Sequence, residues 1–244
     1  MSVFAKELYS KIIHFIDNYS SFSLLDVIFP YSCHLCGIYL AEGAFCSACW
    51  PKLELLDFPA CPRCFFQFPF EVGSKCGKCE VGHYYCDSIR SPIRYNEAAK
   101  ALLLRFKNGN QSGISSILAN MMLRLIPEFE FDCVVAIPLH RLRRIWRGYN
   151  QSELLAREIC AITGKPNLSH LLIRSRFTSS QGNFGKSDRI KNIKNAFQTV
   201  SSFRNMRVLL IDDVCTTGST LEECAKELKK AGAEKVHSIT AAMT

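Results

Sequence analysis

Residues 208–220 read Val-Leu-Leu-Ile-Asp-Asp-Val-Cys-Thr-Thr-Gly-Ser-Thr, and what they form decides the fold. Val208 to Ile211 are four consecutive aliphatics, the pattern of a strand buried on both faces of a parallel sheet. Asp212 and Asp213 fall where such a strand is expected to end, and a hydroxyl-rich turn with one glycine follows. Leu221, Cys224, Ala225, Leu228 and Ala231 then repeat at helical spacing, with Glu222 and Glu223 early, Lys229 and Lys230 late and Gly232 as the stop. Strand, short turn and helix make an anion cradle, because the unpaired N–H groups of the helix's first turn point into the turn. Thr216, Thr217, Ser219 and Thr220 add hydroxyls, and Gly218 lets the backbone close on a phosphate. Two acids beside this cradle repel a bare polyphosphate. They suit sugar hydroxyls or a divalent cation instead, which points to a sugar phosphate. A strand-end acid pair of an ATPase is the competing reading, but the chain has no G-x-x-x-x-G-K-[ST] partner for it.

The rest of the chain is read outward from this motif. Its 244 residues suffice for a domain of about 150 residues and a smaller one. A hydrophobic fraction of 48% with 21% charged residues is ordinary for a soluble globular protein. The net charge of +8 is unevenly placed: residues 1–90 hold 7 basic and 9 acidic side chains, and residues 91–244 hold 23 and 13. The basic half is the half with the cradle, which suits a pyrophosphate group, a nucleic-acid backbone or both.

Eight of the 13 cysteines form Cys33-x-x-Cys36, Cys46-x-x-Cys49, Cys61-x-x-Cys64 and Cys76-x-x-Cys79. That is metal-ligand spacing, and it fits a reducing cytoplasm better than disulfides do. Paired in sequence, they make two closed Cys₄ zinc sites, a double zinc ribbon over residues 31–90; spacing alone leaves crossed pairing open. Cys86 is a spare, and His34 and His83 are near enough to substitute as ligands. Two such sites lower the net charge to about +4, because each zinc with four thiolates carries about −2. Residues 1–30 place Phe4, Leu8, Ile12, Phe15 and Ile16 on one helical face. Such a helix packs on its own protein or a partner, or lies on a membrane surface. No cleavable leader and no apolar run of transmembrane length is evident.

From residue 91 to 244 the pattern is that of an α/β domain. Helices are expected around 98–106 and 114–126, a strand over 131–138, a helix over 152–162, and strands over 168–173, 196–200 and 235–241. Arg105 and Lys107, beside a glycine turn, reach a phosphate or cap a solvated helix end. After the strand at 131–138 comes a loop holding Arg141, Arg143, Arg144, Trp146, Arg147, Tyr149, Asn150 and Gln151, at the sheet end where open α/β folds bind ligands. Arginines suit phosphate oxygens and the two aromatics suit bases, unless the loop is merely solvated. Residues 174–195, with Arg176, Gln181, Arg189 and Asn192, are polar and basic, as a mobile lid over a reactive sugar requires.

Asp-Asp-Val-Cys-Thr-Thr-Gly-Ser-Thr after an aliphatic strand resembles the phosphoribosyl-pyrophosphate (PRPP) loop of type I phosphoribosyltransferases. The resemblance extends over about residues 25–244 to the ComF competence family. It rests also on the paired cysteine fingers, Pro138-Leu139 with Arg147-Gly-Tyr-Asn-Gln151, and Thr178-x-x-Gln181 with Arg189-x-x-Asn192 and Ala196-Phe197. Arg105 stands where the family usually has lysine, and Tyr149 where phenylalanine is common. The likeness implies a type I phosphoribosyltransferase-like core with a central parallel sheet behind a zinc ribbon. It also implies a cytoplasmic protein that handles incoming single-stranded DNA in natural transformation; other DNA-uptake proteins and, through the N-terminal segment, the inner face of the membrane are expected contacts. By that likeness Asp212 and Asp213 hold the ribose and Thr216, Thr217, Gly218, Ser219 and Thr220 the 5′-phosphate, with Val214, Cys215, Leu139 and Arg105 also expected in the PRPP site. Arg144 and Arg147 neutralise the pyrophosphate, which Mg²⁺ bridges. A non-catalytic adaptor that senses PRPP or a DNA end, and a nucleobase-salvage enzyme, are the alternatives.

Overall fold

The computed structural model describes residues 31–57, 59–69, 75–107, 111–126, 130–139, 148–176 and 193–244. The amphipathic segment 1–30, the arginines at 141–147, and Gln181, Arg189 and Asn192 lie outside the described residues. The chain splits into two compact units, one up to Trp50 and one from Pro51 to Thr244. The second cysteine group therefore shares a unit with the sheet.

That unit is built on strands β1 (Ser88–Arg90), β2 (Ile93–Arg94), β3 (Cys133–Ala136), β4 (Leu172–Arg174), β5 (Phe197–Thr199), β6 (Arg207–Cys215) and β7 (Lys235–Met243). Its helices are α1 (Gly77–Val81), α2 (Glu97–Lys107), α3 (Gln111–Leu123), α4 (Gln151–Thr163) and α5 (Ser219–Lys230). The main sheet runs β1-β7-β6-β3 with β2 also on β7, all parallel; β4 and β5 form a separate antiparallel pair. Val208, Leu209, Leu210 and Ile211 are fully buried, as their unbroken apolar run requires of a strand covered on both faces. Alternation divides them. Val208 and Leu210 join Leu221, Cys224, Ala225 and Leu228 of α5 and Phe197 and Phe203 in one core layer. Leu209 and Ile211 face the opposite side, where α3 and α4 pack. Each fully buried aliphatic of this kind contributes about 1.5–3 kcal/mol over its exposed state.

Several boundaries differ from the sequence expectation. β6 is longer than its aliphatic run because β7 pairs with it as far as Cys215↔Met243. The strand expected at 131–138 shortens to four residues, since β3 pairs only Cys133 to Ala136 with β6. At 168–173 the first half is a 3-10 turn, Ser169–Leu171, and only Leu172 onward is strand. Asn167 and Ser169 explain the turn: the Asn167 side chain accepts the Ser169 N–H at 3.0 Å, a local bond that competes with strand pairing. β1 and β2 were hidden behind the cysteine-rich segment, being three and two residues long.

One ion pair ties the entry of β6 to the residue before β3. Asp132 accepts the Arg207 backbone N–H at 2.8 Å and its guanidinium at 2.8 and 3.1 Å. Those bonds hold the Asp132 carboxyl down at about 2, below the ordinary carboxylate range. The stabilisation is present above the unfolded value of about 4 and is lost as pH falls toward about 2. Asp132→Asn is expected to be less stable at neutral pH and to flatten the acid limb between those values in urea titrations at stepped pH. Parallel acid limbs in the two proteins would refute the assignment.

Candidate functional site

The site begins where β6 loses one neighbour. Pairing with β3 ends at Ala136↔Ile211, while pairing with β7 continues past Asp212↔Thr240. Asp212 and Asp213 thus emerge at the one edge of the sheet's carboxyl end that β3 no longer covers. The bend that follows is exposed at Thr216 and Thr217. Gly218 caps α5 in the left-handed region at φ 75°, which glycine adopts without the Cβ penalty. A Cβ there would also meet Ile89 Cδ1 at 3.7 Å. Thr217 and Ser219 hydroxyls bond each other at 2.7 Å. Among the described residues the backbone N–H groups of Thr216, Thr217, Thr220 and Leu221 find no protein acceptor, so four donors remain for a ligand. Thr244 holds the bend from behind, its N–H on the Cys215 carbonyl at 3.0 Å and its hydroxyl on that of Thr216 at 3.2 Å.

The two acids are not equivalent. Asp212 is partly buried and accepts the Ser152 hydroxyl at 2.9 Å and the Asp213 N–H at 2.9 Å. Burial, then the neighbouring Asp213 charge, push its carboxyl up to about 7 against those bonds. Asp213 meets Lys107 Nζ at 3.1 Å. Lys107, in the last turn of α2, is thus brought to the acid pair, whereas Arg105 is exposed on the same turn. Leu139 lies half-buried beyond β3, and Val214 and Cys215 complete β6; burial raises the Cys215 thiol to about 12, so it sits in the loop as a neutral group.

Two expectations need correction. Asn150 and Gln151, expected among the nucleic-acid or lid contacts, are 7% and 2% exposed. Asn150 caps α4, accepting the Ser152 N–H at 3.2 Å and donating to the Ile137 carbonyl at 2.9 Å. It fixes the helix start that presents Ser152 to Asp212. Tyr149 commits its hydroxyl to the Phe106 carbonyl at 2.9 Å, and Arg176 is exposed and donates to the Lys194 carbonyl at 3.2 Å. Ser152 was not anticipated as a site residue, because a serine in a helix's first turn reads as part of the cap.

The eight cysteines form two clusters in sequential order, Cys33, Cys36, Cys46, Cys49 and Cys61, Cys64, Cys76, Cys79. Within each, all sulfurs lie within 4.8 Å of one another. The Cys36–Cys46 and Cys64–Cys76 separations are 3.7 and 3.6 Å. A tetrahedral ion with arms of about 2.3 Å needs sulfurs about 3.8 Å apart, so both clusters fit zinc. The two knuckles repeat the same bonds: Cys33 N–H to Ile38 and Cys61 N–H to Phe66 carbonyls at 2.8 Å, and Cys46 and Cys76 N–H to the Cys33 and Cys61 sulfurs at 3.4 and 3.3 Å. Burial opposes ionisation of Cys33 and Cys61, yet the converging N–H groups outweigh it and lower both to about 6, favouring thiolates. His34 and His83 are in neither cluster. Cys86 is buried, its sulfur 2.9 Å from the Ser238 hydroxyl, and is a core residue.

Residues 118–243 match the phosphoribosyl transferase domain family and residues 24–80 the double zinc ribbon domain family. Fold and site together define a type I phosphoribosyltransferase-like domain, with paired Cys₄ knuckles before it in the sequence. Competence protein F of Haemophilus influenzae is 31% identical over 220 residues, 85% of this chain and 95% of its own length. The DNA utilization protein YhgH of Escherichia coli K12 is 29% identical over 216 residues (85% and 94%), and competence protein ComFC of Streptococcus pneumoniae 28% over 204 (82% and 87%). The chain belongs to the ComF family of competence proteins. Among solved structures, a glutamine PRPP amidotransferase from B. subtilis aligns with 52% of this chain and 26% of its own at 24% identity, with a TM-score of 0.36.

Cys61→Ala is expected to lower zinc from two ions per chain to one by plasma mass spectrometry. It should also lower the melting temperature of the sheet unit, because the second knuckle packs within it. Retention of two ions would remove Cys61 from the ligand set.

Proposed function

We propose that this protein binds PRPP in the bend after β6 and acts on incoming single-stranded DNA in the cytoplasm during natural transformation. The observation that carries the reading is the bend itself. Among the described residues, four N–H groups without protein acceptors stand beside two carboxylates at the carboxyl end of a parallel sheet. Thr216 to Thr220 receive the 5′-phosphate, and Asp212 and Asp213 accept the ribose hydroxyls. Both acids already have protein partners, so the donor set fits a cation held chiefly by ligand oxygens, with Asp213 as the protein's contribution. Mg²⁺ bound in this way supplies charge neutralisation as pyrophosphate departs from C1. Lys107 lies 3.1 Å from Asp213 and is placed to exchange that carboxylate for a phosphate oxygen, and Arg144 and Arg147 are assigned to the pyrophosphate.

The DNA assignment rests on the names of the relatives, which are competence and DNA utilization proteins, and on the basic excess of residues 91–244. Among the described residues no helix is long and apolar enough to cross a membrane. The capture of Asp212 by Ser152 and of Asp213 by Lys107 favours a second reading, a non-catalytic adaptor that takes PRPP or a DNA 5′-phosphate as a recognition ligand. Pyrophosphate release from PRPP with candidate acceptors separates the two.

Asp213→Ala is expected to abolish PRPP binding by calorimetry while zinc content stays unchanged; undiminished affinity would remove the acid pair from the site. Burial holds the Asp212 carboxyl up at about 7, so its charge is lost progressively as pH falls through that value. PRPP affinity is therefore expected to fall as pH drops below that value, by up to about tenfold per unit, and Asp212→Asn to flatten the dependence. A wild-type profile unchanged by Asp212→Asn would count against its role.

A further inference from the structure

A cavity of about 650 Å³ lies between the second cysteine knuckle and the phosphate bend, within the roughly 300–1,000 Å³ range of small-molecule sites. Thr216, Thr217 and Gly218 line one side of it, and the knuckle's Cys64, Phe65 and Phe66 the other. The back is apolar: Phe65, Ile89 and Leu56 are all under a tenth exposed. The mouth carries an aromatic ring and two cations. Phe66 is 61% exposed and is held edge-on by Phe68, with ring centroids 5.9 Å apart. Lys78 is exposed, and Arg94 pairs with the exposed Glu54 at 3.2 Å. An exposed pair of that kind contributes little and gives way readily to a phosphate.

The wall is fixed to the bend rather than merely next to it. Arg63, between the first two cysteines of the knuckle, pairs with Glu222 in the first turn of α5 and lies 3.4 Å over the Tyr84 ring. Glu222 also accepts the Tyr85 N–H at 2.8 Å, and the Arg63 carbonyl accepts the Ile89 N–H at 2.6 Å. A slot with buried apolar residues in its lining, an exposed aromatic ring and two exposed cations matches one chemistry above others, a nucleotide, with its base stacked and its phosphate outside.

We propose that this cavity is a nucleotide subsite, in which a base stacks on Phe66 while its backbone phosphate meets Lys78 and Arg94. It rests on the PRPP reading only in setting that base beside the bend where the ribose phosphate would lie. The occupant is one residue of a single strand or a free nucleotide, and the test distinguishes them.

Anisotropy with a fluorescent oligo-dT and calorimetry with dTMP are to be measured on the full zinc-loaded chain, with PRPP calorimetry in parallel. Phe66→Ala is expected to weaken the nucleotide ligand about 5- to 100-fold, as loss of one stacking contact does. Phe66→Trp should retain affinity, Arg94→Gln should reduce the salt dependence, and melting temperature and zinc content should stay unchanged. Loss of oligo-dT alone assigns the site to a strand, and loss of dTMP binding as well assigns it to the nucleotide unit. Unchanged affinity in both Phe66→Ala and Arg94→Gln, or no binding of either probe to the wild type, overturns the proposal. Failure of PRPP to bind the wild type, with the Phe66 effect intact, would sink the PRPP reading and leave the cavity standing.

Discussion

The unequal pairing of β6 is the constraint on which the site depends. Its partner β3 stops at Ile211 while β7 carries on to Cys215, so the strand is sealed on one side and open on the other where its acids emerge. An early end on both sides would leave the bend unsupported. The asymmetry satisfies the backbone on one side and gives Ser152 and Lys107 access on the other.

The second cysteine knuckle is part of this architecture, not an appendage. Arg63 joins three things at once: the Cys79 sulfur at 3.9 Å, the Tyr84 ring, and Glu222 at the start of the helix that forms the cradle. A cation that is under a tenth exposed and bonded to a metal-ligand sulfur is electrostatically matched to a thiolate cluster. The charge state of the knuckle is therefore felt within one side chain of the phosphate bend.

Much of this was legible in the residues. The Val208–Ile211 run and the helical repeat after it located strand, bend and helix, because burial on both faces and an amphipathic stripe leave strong periodic signals. Cysteine spacing gave the clusters, although the geometry was needed to choose sequential pairing. What was not legible depends on distant partners. Ser152 reaches Asp212 across 60 positions, Arg63 reaches Glu222 across 159, and β1 and β2 are too short to show a period. Asn150 and Gln151 misled because polar residues after a basic loop look like a surface, while here one is a buried cap.

The knuckles share a bonding scheme but differ at one backbone position. Gly37 takes a positive φ of 81° in the first, and the matching place in the second is Phe65, at φ 60° and 1% exposed. A left-handed phenylalanine carries about 1–2 kcal/mol of steric cost, and burying its ring returns a similar sum. The first loop thus meets this turn with a residue that carries no such strain, whereas the second offsets its strain by burying the ring. The two halves of the ribbon are therefore not interchangeable modules: a glycine in place of Phe65 would strip a ring from the lining of the cavity beside the bend, and a phenylalanine in place of the exposed Gly37 would leave a strained aromatic in water.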